Sequence, residues 1–363
     1  YLREGSIPSG PPTTISSPHK LAALHSAICW TLAGAGRCGG VAGPGIDTPA
    51  GWDGAVRLAE KLSLPVLVAP SPSRCPFPTR HPSFRGILPA GIATVASHFD
   101  GHDLIVAFGA AIFRYHEFID GDFLPAGTEL WAVTDDPDEA ARAPFGHILI
   151  GDPSEAVKRL ADTTPGVGRP ALPAREPLPQ ADTAGPAFTE EAIVDAVNAA
   201  KTDSTVTAHE WSSAMVKWDR FEFTRPGSLY FGAAGGLGWG LPAAIGMQLG
   251  DPSRRVVALL GDGAVHYSVS GLWTAAQYNI PVVFVVARNS EYRALKEFTR
   301  LMHVPDTPGM ELPGMDIPGI ATSYGVQSER VKSLPDLTRA VKDALSADQP
   351  RLIEISQRRL ADS

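Results

Sequence analysis

The sequence predicts an α/β protein with two doubly wound parallel-sheet domains. Three observations carry that expectation. Short, continuous apolar runs of the kind that parallel strands bury on both faces recur along the chain. Helical stretches alternate with them, as βαβ units require. A stretch rich in Pro, Ala and Gly over 163–189, without periodicity, divides the alternating pattern into two.

Residues 1–18 (YLREGSIPSGPPTTISSP) are rich in Gly, Pro, Ser and Thr and read as a linker or frayed start. The first α/β domain is expected over 19–162. Cys38–Ala42 makes a short strand ending in Gly43-Pro44-Gly45, Gly54–Leu62 an amphipathic helix, and Pro65–Ala69 the next strand. Leu104–Gly109 and Glu129–Val133 read as buried strands, and Ser154–Ala161 as the closing helix. The segment 163–189 is expected to be an extended linker. The second domain is placed at 190–357. Its helices are Glu191–Lys201, Leu241–Leu249, Tyr267–Asn279 and Leu334–Ser346, and its strands include 256–260, 281–286 and 351–355.

A length of 363 residues allows two domains with sizeable cores. The formal net charge of −8 argues against nucleic acid or an anionic membrane as the main partner. No apolar run approaches the roughly 20 residues of a membrane helix. Cys29, Cys38 and Cys75 lack CxxC spacing and read as free thiols in a reducing, cytoplasmic setting. The chain opens at Tyr1, not Met, so its start is expected not to be the native one.

The most informative segment is Gly261-Asp262-Gly263, just past the apolar run Val256–Leu260. Asn289 lies just past a second run, Pro281–Val286, and 289 − 262 = 27 positions separate the two polar residues. Two neighbouring parallel strands would present a carboxylate and a carboxamide at one C-terminal sheet edge, where open α/β sheets bind ligands. Hard oxygen donors there suit Mg²⁺ carrying a diphosphate. The alternative for Gly-Asp-Gly alone is a tight turn after a strand. A second signal is Gly232–Gly240 (GAAGGLGWG), a loop poor in side chains that lets a ligand touch backbone. Its Gly236-x-Gly238 is weak as a dinucleotide fingerprint, because no acidic residue follows at the right distance. Close helix–strand packing is the other reading of these glycines.

Gly-Asp-Gly closed by an asparagine resembles the thiamin-diphosphate signature. The stretch Pro226–Leu295, with AAGGLG, LPAAIG and WTAAQYNIP, resembles the diphosphate-binding domain of the benzoylformate decarboxylases. Arg74–Pro82 (RCPFPTRHP), Phe113–His116 (FRYH) and Asp136–Pro144 resemble the same family. The resemblance implies a central, transhydrogenase-like domain followed by the diphosphate-binding one. It further implies thiamin diphosphate with Mg²⁺, and non-oxidative decarboxylation of an aromatic 2-oxo acid. Asp262 and Asn289 would hold the metal by side-chain oxygens, with the backbone carbonyl of Glu291 as third ligand. Ser212 and Ser213 would bind diphosphate oxygens, and Gly263 and Ala264 would add N–H donors. The Gly235 carbonyl would accept the aminopyrimidine's N–H, and Leu237 would wedge beneath the cofactor. His81 is the candidate proton donor, histidine being able to transfer protons either way near neutrality; a capping or packing histidine is the plain alternative. Phe231, Ala294, Leu295 and Phe298 would line an apolar pocket for an aromatic ring. A homo-oligomer, a dimer of dimers, is also implied.

Some positions depart from that pattern. Arg288 precedes Asn289 where such enzymes usually have a second Asn, and Arg293 is expected at the pocket rim. The pyrimidine-binding domain, with its ring-activating glutamate, has no counterpart in the two units read here and is expected from a truncated portion or a separate polypeptide. A carboligase of the acetolactate-synthase type and a non-catalytic cofactor-binding fragment are the competing readings.

Overall fold

The computed structural model describes residues 13–15, 28–29, 31–112, 121–211, 218–232, 234–304 and 306–360. The chain divides into two compact units, one of Tyr1–Pro177 with Phe223–Gly227, the other of Leu178–Glu222 with Ser228–Ser363.

Among the described residues the first unit holds a seven-stranded, all-parallel sheet. Its strands are β1 Thr13–Ile15, β2 Cys38–Ala42, β3 Val66–Val68, β4 Phe84–Ile87, β5 Leu104–Phe108, β6 Glu129–Thr134 and β7 His147–Ile150. They lie in the order β1-β7-β6-β5-β2-β3-β4. Part of the stretch read as a frayed start is therefore an edge strand, Thr13–Ile15 pairing with His147–Leu149. Its helices are α1 Pro49–Leu62, α2 Ile92–Ser97, α3 Pro137–Arg142 and α4 Pro153–Thr163. Helix α1 begins five residues before Gly54. Thr48 caps it by accepting the Gly51 N–H at 3.0 Å, and Pro49 suits its first turn. It packs on α4 at Gly54, where a Cβ would sit 2.7 Å from the Lys158 backbone.

In the second unit six strands among the described residues run parallel in the order β12-β13-β11-β10-β8-β9. They are β8 Val206–Glu210, β9 Leu229–Phe231, β10 Val256–Gly261, β11 Val283–Arg288, β12 Gln327–Val331 and β13 Arg351–Ser356. The helices are α5 Glu190–Asn198, α6 Gly240–Gly250, α7 Asp262–Ser268, α8 Gly271–Gln277, α9 Arg293–Leu301, α10 Ile317–Ser323 and α11 Leu334–Leu345. Val256, Ala258 and Leu260 of β10 pack with Phe284 and Val286 of β11 against Leu241 and Ile245 of α6 and Leu272 of α8. Val257, Leu259, Val283 and Val285 on the other face are buried too, which is why these strands read as unbroken apolar runs.

One expected helix differs. Tyr267–Asn279 is not continuous: α7 ends at Ser268 and α8 starts at Gly271. Gly271 lies so close to α6 that a Cβ there would meet Leu241 at 2.5 Å, and the break lets α8 lean in. Strand β12 (QSERV) was invisible as a strand because four of its five residues are exposed or half-exposed at the sheet edge.

Candidate active site

Strands β10 and β11 are neighbours, with Gly261 paired to Ala287, so Asp262 and Asn289 emerge together at the C-terminal edge of the second sheet. Asp262 is buried, and its two oxygens accept the Gly263 N–H at 3.0 Å and the Ser290 N–H at 2.7 Å. Burial pushes its carboxyl up to about 6, against the pull of those N–H groups and of Arg288. Asn289 accepts the Glu291 N–H at 3.1 Å through Oδ1, and its Nδ2 faces Gln357 Oε1 at 3.5 Å. Gln357 also accepts from Trp211 Nε1 at 2.9 Å and donates to the buried Glu190 at 2.6 Å. The carboxamide oxygen is thereby aimed by a network reaching to α5.

Glu291 keeps its carboxylate away from that edge. Lys296 donates to it at 2.6 Å, the Leu360 N–H at 2.7 Å and Arg359 at 3.4 Å. Burial raises this carboxyl, but Lys296, the Leu360 N–H and Arg359 outweigh it and hold it below the usual range. The backbone at Glu291 is pinned from both sides, by Tyr292 N–H to Met310 and Leu312 N–H to Ser290. Tyr292 lies over Gly263: a Cβ on that glycine would meet its ring at 2.8 Å, which is why the motif needs glycine there.

The glycine loop approaches the same edge from α6. Gly235 adopts φ +78° and donates to the Gly232 carbonyl at 3.0 Å, and among the described residues nothing lies within 4 Å of where its Cβ would be. Leu237 is 40% exposed, so its side chain is free to meet a ligand. The loop is held by a residue not singled out in the sequence. Glu210, the last residue of β8, accepts from the N–H groups of Gly238 at 2.6 Å, Trp239 at 3.2 Å and Gly240 at 2.6 Å. The available signal was a carboxylate ending a strand, but the run VTAHE is too polar to stand out as one.

Ser212 and Ser213 lie outside the described residues, as do Phe113–His116. Gly263 and Ala264 are buried in the first turn of α7. Leu295 and Phe298 stand exposed on α9, with Ala294 half-buried beside them, whereas Phe231 ends β9, which β10 and β8 separate from β11, its ring tilted against His209 at 5.8 Å. His81 belongs to the first unit. Its Nδ1 accepts the Ser83 N–H at 3.1 Å, its Nε2 faces Glu60 at 3.4 Å, and its ring meets the edge of Phe77. A cleft of about 740 Å³ in that unit, lined by Ala110, Leu130, Thr134, Glu139 and Arg142 among others, holds none of the expected site residues.

The two unusual cations are both neutralised. Arg288 turns to the fully buried Glu354 at 3.1 Å and to Ser290 at 2.9 Å. Arg293, expected at a pocket rim, is instead almost buried between Glu190 and Glu297, each at 3.1 Å.

Residues 27–160 match the family description "Thiamine pyrophosphate enzyme, central domain", and 212–355 "Thiamine pyrophosphate enzyme, C-terminal TPP binding domain". The chain belongs to the thiamine pyrophosphate enzymes. Within them it is 46% identical over 323 residues to the benzoylformate decarboxylase of Pseudomonas aeruginosa, covering 87% of this chain and 60% of that protein. A solved thiamine diphosphate-dependent 4-hydroxybenzoylformate decarboxylase of Rhodococcus jostii RHA1 superposes with a TM-score of 0.90 at 40% identity, over 98% of this chain and 66% of that one. The benzoylformate decarboxylase structure from Polynucleobacter necessarius gives a TM-score of 0.88 at 33% identity, over 98% and 68%. The chain thus spans roughly two thirds of the length of these thiamine pyrophosphate enzymes.

Proposed function

We propose that this protein is a thiamin diphosphate- and Mg²⁺-dependent decarboxylase that converts an aromatic 2-oxo acid of the benzoylformate type to its aldehyde and CO₂. The observation that carries the reading is the buried Asp262 emerging beside Asn289 on the neighbouring strand end. One carboxylate, one carboxamide and a backbone carbonyl are a hard oxygen donor set of the kind Mg²⁺ takes. A carboxyl raised to about 6 by burial is also stabilised by a cation.

In this reading Asp262, Asn289 and the Glu291 carbonyl hold the metal. Ser212, Ser213, Gly263 and Ala264 bind diphosphate oxygens, the Gly235 carbonyl takes the aminopyrimidine N–H, and Leu237 supports the rings from below. When bound, the cofactor supplies the electron sink that lets CO₂ depart. His81 delivers the proton that completes the aldehyde, its Nδ1 acceptor role leaving the proton on Nε2. Leu295, Phe298, Ala294 and Phe231 shelter the aromatic ring. Ring activation is assigned to a pyrimidine-binding domain outside these residues. A cytoplasmic homo-oligomer completes the proposal, and the buried thiols of Cys29, Cys38 and Cys75, none of them in a disulfide among the described residues, support a reducing compartment.

The test is direct. Protein purified as its gene encodes it is expected to release benzaldehyde from benzoylformate only when thiamin diphosphate and Mg²⁺ are both supplied. Absence of CO₂ from every 2-oxo acid tried, with both present, rejects the reading.

A further inference from the structure

We propose that Glu210 is a positioning residue for the cofactor loop: its carboxylate fastens Gly238–Gly240 to the end of β8 and closes the N-terminus of α6 to any other anion. The inference rests on the reading of the loop as the cofactor's ring support.

The geometry is specific. Helix α6 starts at Gly240 with Trp239 as its N-cap, and no side chain at that cap accepts a hydrogen bond. Its first N–H groups would be left without acceptors. Glu210, 30 residues before Gly240, supplies both oxygens: Oε1 to Gly238 and Trp239, Oε2 to Gly240. The approach depends on glycine. A Cβ on Gly240 would lie 2.7 Å from Glu210 Cβ, and Gly238 holds φ +91° with Tyr267 2.9 Å from where its Cβ would be.

Two consequences follow for the site. Glu210 pairs with Leu260 across neighbouring strands, so its carboxylate and that of Asp262 share one sheet edge. They are not equivalent as metal ligands, because Glu210 spends its oxygens on three N–H donors while Asp262 has two. The pair therefore sorts the two ends of the cofactor. The α6 terminus, already carrying a carboxylate, repels the diphosphate and keeps Gly235–Leu237 in place for the rings. The metal and phosphates are left to the Asp262 edge.

Glu210→Gln tests this, since it replaces one acceptor oxygen by an NH₂ group that must face an amide N–H. In the full-length protein, amide hydrogen exchange over 235–240 is expected to accelerate at least about tenfold, the loss of one charge-assisted hydrogen bond. Calorimetric affinity for thiamin diphosphate at saturating Mg²⁺ is expected to fall about tenfold, with that for inorganic pyrophosphate and Mg²⁺ unchanged. Equal losses for the two ligands, or unchanged exchange, overturn the proposal. Should the Gln variant not fold, Glu210→Asp, one methylene shorter but still anionic, is read in the same way. Wild-type protein that binds neither ligand would sink the cofactor reading instead, while the exchange result would still report on the clamp.

Discussion

The carboxylate of Asp262 accepts the backbone N–H of Ser290 at 2.7 Å, a bond between residues 28 apart in the chain that ties together the ends of β10 and β11. Ser290 reaches it in a left-handed conformation, φ +57°. Together with the Leu312 N–H bond to the Ser290 carbonyl, it holds the strand-end loop on which Asn289 sits. The carboxylate proposed here to carry a cation is thus also a structural acceptor, and the first prediction comes from that double duty.

Asp262→Ala is expected to abolish binding of thiamin diphosphate in Mg²⁺ buffer, and retained calorimetric affinity would count against the metal role. The pH dependence has a defined sign. The carboxyl is raised from 3.8 to about 6 in the folded protein, so the native state holds the extra proton between those values. Stability of the metal-free protein therefore falls as pH rises through that window, by at most about 3 kcal/mol. Mg²⁺ must displace the same proton, so its apparent affinity should drop by about tenfold per pH unit below 6. A flat Mg²⁺ affinity between pH 5 and 7 would remove Asp262 from the ligand set.

His209 acts in the opposite direction. It lies fully buried on β8 with neither ring nitrogen hydrogen-bonded among the described residues, and burial lowers it from 6.5 to about 4. The unfolded chain takes up the proton first, so stability is lost as pH falls from 6.5 toward 4, by about 3 kcal/mol. His209→Leu is expected to be neutral or stabilising at pH 7 and clearly stabilising at pH 5, as read from urea midpoints. Equal shifts at the two pH values would mean that the ring is not the titrating group.

Arg288→Asn places a neutral residue beside Asn289. Glu354, buried and bonded to Arg288 and Arg330, loses one of its two cations. The variant should lose about 1–3 kcal/mol of stability and keep its affinity for thiamin diphosphate. A large loss of affinity without loss of stability would show instead that the guanidinium serves the cofactor.

Gly240→Ala drives a methyl group into Glu210 and to within 2.8 Å of Leu260. A cost of about 1–3 kcal/mol is expected, together with weaker cofactor binding. An unchanged melting temperature would show that the loop yields more readily than its contacts imply.

His81→Ala removes an acceptor for the Ser83 N–H, worth about 1 kcal/mol. If the ring delivers the proton, turnover should also drop by about 100-fold or more with cofactor affinity intact. Unaltered turnover would leave His81 as a capping residue for its loop.

The interior strands were legible because being covered on both faces makes them continuously apolar: β2, β5, β10 and β11 fall within a residue or two of their expected places. The spacing from Asp262 to Asn289 was legible for the same reason, since both follow such strands directly. What the sequence hid depends on distant partners. Strand β8 is half polar because it carries Thr207, His209 and Glu210 into the interior, and no local pattern announces that Glu210 will cap a helix beginning thirty residues later. The orientation of Arg288 and Arg293 was equally hidden, because their carboxylate partners Glu354 and Glu190 are 66 and 103 residues away in opposite directions (354 − 288 and 293 − 190).

The return of Phe223–Gly227 to the first unit has a bearing on how the polypeptide matures. Asp47 receives the Gly227 N–H at 2.9 Å, and Thr79 exchanges bonds with Phe223 at 3.0 and 3.1 Å. On the ribosome, the N-terminal half cannot complete these contacts until some fifty residues of its successor have already emerged. Cutting the gene at the visible proline-rich boundary would therefore yield a fragment with its own seam left open, and a boundary beyond Gly227 is the one to clone.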